Sequence, residues 1–150
     1  MVAVGCVATA YHASSGRLRV WLRKADYWCI SWATTCLLRA LHPGSPAVQR
    51  ATSLVLPAVP FQPFAISAAN ICAAEFEFAR MASCDRLAGR GLGRHASYLA
   101  GGLACFALED VALDRGMIVV HAAWHLLACM ALWETGNLLA LRGRPLTAKI

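Results

Sequence analysis

Six apolar stretches separated by short polar ones take up most of the chain: Met1 to His12, Asp26 to Leu41, Ala47 to Pro60, Phe61 to Met81, Ala96 to about Leu113, and Met117 to Leu141. No other feature narrows the possible folds as much. A water-soluble fold needs polar side chains to cover its surface, yet 59% of the residues are hydrophobic and only 15% are charged. Soluble domains ordinarily run at roughly 45–50% and about 25%. That balance argues against a soluble globular enzyme, and the long apolar stretches exclude disorder, whose signature is low hydrophobicity with high charge. The pattern predicts an all-α fold, a polytopic transmembrane helix bundle of about six segments forming a single domain over residues 1–150.

A helix needs about 20 residues to cross a bilayer core, with roughly 17 at the short end. Met1 to His12 is too short to span, so the sequence reads either as beginning with a re-entrant piece or, preferentially, as an N-terminally incomplete copy of a longer protein. Pro57, Pro60 and Pro63 fall within seven residues. Proline lacks the amide hydrogen and restricts the residue before it, so this run predicts a turn between two segments rather than one kinked helix. A single kinked helix there would put residues 121 and 125 on the opposite membrane face from His12.

With that parity, Arg39, Arg50, Arg80, Arg86, Arg90, Arg94, Arg142, Arg144 and Lys149 gather on one membrane face; Arg17, Arg19, Arg23, Lys24 and Arg115 lie on the other. The excess of basic residues places the first face, and the C-terminus, in the cytosol. The net charge of +6 is read as loop charge near lipid headgroups and not as a nucleic-acid surface. Gly89, Gly91 and Gly93, among Arg86, Arg90 and Arg94, read as a flexible basic loop; no strand precedes them, so they are not a phosphate-binding motif. The seven cysteines contain no CxxC pair and are expected to be small buried thiols rather than a disulfide framework.

Ionisable groups within apolar segments are costly and tend to be functional. His121 and His125, in the run His-Ala-Ala-Trp-His, stand one helical turn apart on a common stripe. His12 ends the first segment, and Asp26 opens the second after a loop from Ala13 to Ala25; parity returns all four to one face. Three neutral imidazoles with a nearby carboxylate match a catalytic zinc site that keeps a position open for water. In that arrangement Asp26 takes the water's proton or orients a ligand histidine. The bland readings stand beside this one: a histidine at a helix end serves as an interfacial hydrogen-bonding residue, and Asp26, beside Arg23 and Lys24, serves as a helix cap or in an ion pair. His42 and His95 read as plain interfacial residues. Glu134 falls half a turn away from the paired histidines and outside the site.

Tyr-His at 11–12, Asp-Tyr at 26–27 and His-Ala-Ala-Trp-His at 121–125 together resemble the CREST superfamily of seven-helix membrane proteins. Its members include the alkaline ceramidases, the adiponectin and progestin receptors, the remodelling hydrolases of GPI anchors and the myomaker-like proteins. The resemblance implies a seven-helix plan lacking its first helix, with His12, His121 and His125 as zinc ligands and Asp26 assisting the water. Ala8 stands where such proteins usually carry a serine, with Thr9 next to it. The implied function is a membrane-embedded, zinc-dependent hydrolase of amide or ester bonds in a membrane lipid, in the endomembrane system or the plasma membrane. Two alternatives are a non-catalytic receptor or structural membrane protein with a structural zinc, and a haem-binding electron carrier. The zinc reading requires ring nitrogens able to converge to within about 2.0–2.1 Å of one point.

Overall fold

A computed structural model describes residues 2–108, 111, 115 and 119–142. Six α-helices and no strand occur among the described residues: α1 (Val2–Ala13), α2 (Gly16–Leu41), α3 (Pro46–Val55), α4 (Pro63–Cys84), α5 (Arg86–Ala107) and α6 (Val119–Arg142). The all-α reading holds. The expected loop from Asp110 to Gly116 and the C-terminal residues beyond Arg142 lie largely or wholly outside the described residues. The chain divides into two compact units, Met1–Glu77 and Phe78–Ile150, with the boundary inside α4.

In the first unit, α1 and α2 form a helical hairpin. Val4, Val7, Ala8 and Tyr11, spaced at three and four, are the half-buried positions of α1. Gly16 turns the corner at φ +58, a left-handed conformation that glycine adopts without a Cβ penalty. Ser14 donates its hydroxyl to the Tyr11 carbonyl at 2.8 Å, and the Arg19 guanidinium sits 5.1 Å from the centre of the Tyr11 ring. The loop expected from Ala13 to Ala25 is therefore corrected: all of it but Ser14 and Ser15 is helix. Arg, Leu, Lys and Ala are good helix formers, and no proline interrupts them; their charge, which suggested a loop, lies on the exposed first turns of α2.

The link from α2 to α3 is legible residue by residue. Gly44 takes φ +78. Ser45 caps α3 by accepting from the Val48 amide, and Pro46 occupies the first turn, where its missing N–H costs nothing. Arg39 then ties α3 to α2, donating to the Thr52 and Ser53 hydroxyls at 2.8 Å each. The proline run does break the helix. After α3 come a 3-10 turn over Leu56–Ala58 and an irregular turn, and Pro63 begins α4.

Helices α2 and α4 run parallel. Ser31 meets Ser67 at 2.8 Å, Thr35 accepts from the Asn70 amide at 2.9 Å, and His42 Nε2 lies 4.0 Å from a Glu77 carboxylate oxygen. The partners keep a nearly constant offset along the two helices, which only parallel helices do. In the second unit α5 and α6 run antiparallel: Gly91 packs on Leu138, near the end of α6, and Gly102 on Trp124, near its start. The supposed flexible loop at Gly89, Gly91 and Gly93 is thus a second correction, since these glycines lie inside a continuous helix capped by Asp85, whose carboxylate accepts from the Leu87 amide at 2.8 Å.

Among the described residues no helix is long and apolar enough to cross a membrane. Two, α1 and α3, are too short, with 12 and 10 residues. The four longer ones carry polar residues along their length: basic residues at the start of α2, Glu75, Glu77 and Arg80 in α4, three arginines in α5, and Glu134 and Asn137 in α6. The placement of these residues matters as much as their number. Buried positions include Ser31, Thr35, Thr52, Ser67, Asn70, Glu77, His95, Glu134 and Thr135, while Trp21, Trp32, Phe64, Phe76 and Trp133 point outward.

Candidate functional site

His12 is exposed in the last turn of α1, its ring centroid 4.6 Å from that of Tyr11. Asp26 does not open a helix. It lies ten positions after Gly16 in α2, which at the helical rise is about 15 Å from the hairpin corner where His12 stands. One oxygen of its carboxylate, Oδ1, is buried and has no hydrogen-bond partner. Buried polar atoms are rarely left so, and an orphaned carboxylate oxygen is the kind of acceptor that a proton, a water or a metal satisfies.

Positions 121 and 125 fall in the first two turns of α6, four residues apart on one helix, as the His-Ala-Ala-Trp-His run requires. The side chain of His121 lies outside the described residues. His125 is half-buried, its ring centroid 6.5 Å from that of Trp124, which itself tilts against Phe106 at 5.4 Å. The four residues thus fall two in each unit, His12 and Asp26 in the first and the α6 pair in the second. Among the described residues no group of three His, Cys, Asp or Glu side chains stands ready to hold a metal ion.

The second unit also holds a polar cluster that the sequence reading passed over. Arg94 donates Nε and Nη2 to the two Glu134 oxygens at 2.7 and 2.9 Å, a bidentate pair, and Asn137 adds a third donor at 3.3 Å. One position further along α5, His95 is buried, with Nδ1 3.0 Å from the Ala131 carbonyl and its ring 6.0 Å from Phe78. His95 is therefore no interfacial residue. Part of the signal was available, since a lone glutamate in an apolar helix calls for a cation, but that the cation is Arg94 follows only from the antiparallel packing of α5 on α6. The cysteine expectation also needs correction. All seven are free, and five of them, Cys6, Cys36, Cys72, Cys84 and Cys129, are exposed rather than buried.

Comparison with protein-family models, with curated proteins and with solved structures gives no match for this chain.

Proposed function

We propose that the chain is an integral membrane protein and, within that setting, a zinc-dependent hydrolase of lipid amide or ester bonds. The observation that carries the membrane part is the exposure of many large apolar side chains on helices whose buried positions, beside Leu41, Phe78 and Leu138, include hydroxyls, amides and carboxylates. Trp21 is 63% exposed, Phe64 80% and Trp133 72%. Lipid-embedded bundles pack through small and polar residues in this way, because hydrocarbon solvates leucine or tryptophan as well as a protein interior does. Part of the polarity of α4 and α6 is inward, at Ser67, Asn70, Glu77, Glu134 and Thr135, whereas the basic residues at the start of α2 are exposed.

The hydrolase part rests on donor chemistry. His12, His121 and His125 would supply three neutral imidazoles, the set that leaves a catalytic zinc one open position. Zinc held there supplies a Lewis acid that makes water nucleophilic near neutral pH. The orphaned Asp26 oxygen is a free proton acceptor in the same polypeptide, and an apolar exterior admits a substrate arriving sideways from the bilayer. A second reading, a non-catalytic membrane protein with a structural zinc, is favoured by the 15 Å or so of helix between Asp26 and the hairpin corner.

Elemental analysis of the full chain in detergent, followed by turnover of a fluorescent ceramide and a fluorescent ester lipid, separates these readings. The hydrolase reading expects about one zinc per chain, no Soret band, and turnover that Asp26→Asn abolishes while zinc stays bound. Zinc without turnover selects the structural reading. No zinc at all removes both.

A further inference from the structure

We propose that the exposed basic face of α5 is a docking surface for anionic phospholipid headgroups. Arg86, Arg90 and Arg94 recur every four residues, so they share one face of the helix, and all three are exposed. That face is fixed outward because the opposite one, with Gly91, His95 and Gly102, is buried against α6. Glu134 pairs with Arg94 and leaves the charge of the face to Arg86 and Arg90. The Asp85 carboxylate is engaged with the Leu87 amide, and both Glu134 oxygens are taken by Arg94. Arg86 and Arg90 have no carboxylate partner among the described residues.

Between the arginines, Gly93 leaves an opening: a Cβ built there meets nothing within 4 Å. Arg90, Gly93, Arg94, Ser97 and Tyr98 line a shallow, open recess of ≈ 580 Å³. The Arg90 guanidinium and the Tyr98 hydroxyl around one recess suit a phosphate, which arginine binds through its planar fork, while Arg94 is held by Glu134 and Ser97 donates to the Gly93 carbonyl. The remainder of the helix selects a lipid over a free phosphate. From Ala96 to Leu108 the chain carries no charged residue. At the helical rise this stretch covers about 18 Å, slightly more than half of a hydrocarbon core about 30 Å thick. A basic half followed by an apolar half as long as one leaflet sets the arginines at the depth of the headgroups, where anionic lipids attract them.

The inference rests on the membrane reading but not on zinc or hydrolysis. Its test is native mass spectrometry of the full chain released from mixed micelles containing phosphatidylglycerol and phosphatidylcholine. Each arginine near an anionic surface contributes about fivefold in affinity, so Arg86→Gln with Arg90→Gln is expected to reduce phosphatidylglycerol retention about 25-fold. The paired Arg→Lys variants should keep most of it, which separates loss of charge from loss of fold. Inorganic phosphate should not displace the lipid. Equal retention of the two lipids, retention unchanged in the glutamine variant, displacement by phosphate, or preference for a single-stranded oligonucleotide each overturns the proposal. A chain that inserts into vesicles yet retains no phosphatidylglycerol overturns this proposal alone, whereas one that stays in solution without detergent overturns the membrane reading with it.

Discussion

Glycine carries two opposite meanings in this chain, and the difference lies in what each Cα faces. At Gly102 an added Cβ would stand 3.1 Å from one atom of the Trp124 ring and 3.2 Å from another; at Gly93 it would meet open space. Gly102→Val is therefore expected to overpack the contact between α5 and α6 and to destabilise the fold by about 1–3 kcal/mol. Gly93→Ala relieves a helix of its least favourable interior residue and should stabilise it by about 0.5–1 kcal/mol. Unfolding midpoints of the two variants in the same detergent check the pair, and midpoints shifting in the same direction would refute the packing assigned here. The sequence shows the glycines but not their partners, so Arg-Gly-Leu-Gly-Arg is equally compatible with a loop and with a helix pressed against its neighbour. The same limit applied at Asp26. Its polarity within an apolar stretch was legible, but its position in the body of a helix was not, because the basic residues before it belong to the first turns of the same helix.

The proline break was legible in the sequence, and other boundaries are set just as locally by residues that the sequence reading passed over. Ser45-Pro46 starts α3 and the proline run ends it, through a side-chain cap and a missing amide hydrogen that require no tertiary partner. Asp85 sets a boundary by equally local means, although the glycines that follow it read as a loop from the sequence alone. It stands immediately before Arg86 with its backbone extended at φ -141 and ψ 120, and its side chain holds the Leu87 amide. Losing an N-cap of this type costs about 1 kcal/mol. Asp85→Ala is accordingly expected to lower stability by about that amount and to raise hydrogen exchange in the first turn of α5, at residues 86–89, without changing exchange near Gly102. Protection that stays intact at 86–89 would show that packing alone sets the start of this helix. Hairpin and antiparallel pairings, by contrast, depend on residues distant in sequence. Of the candidate site, the α6 spacing of positions 121 and 125 was readable from local periodicity; the meeting of Arg94 with Glu134 was not, because it depends on how two separate helices align.

For the whole molecule, the question is which solvent the outward apolar side chains meet. Trp133 and Trp124 are nine residues apart on α6, half a turn out of phase, with the first pointing outward and the second wedged against Gly102 and Phe106. In water an exterior carrying Trp21, Trp32, Phe64 and Trp133 is an aggregation hazard. In hydrocarbon it is at no disadvantage, and the inward hydroxyl and amide pairs gain from having no competing water, by about 0.6 kcal/mol for an average pair. Single-tryptophan variants reconstituted in bilayers with brominated acyl chains distinguish the two solvents. Fluorescence of Trp133 is expected to be quenched by the bromines more strongly than that of Trp124, and to resist aqueous acrylamide. If acrylamide quenches Trp133 and the bromolipid does not, the exterior faces water. The polar interior would then have to be explained by association with another protein surface rather than by lipid.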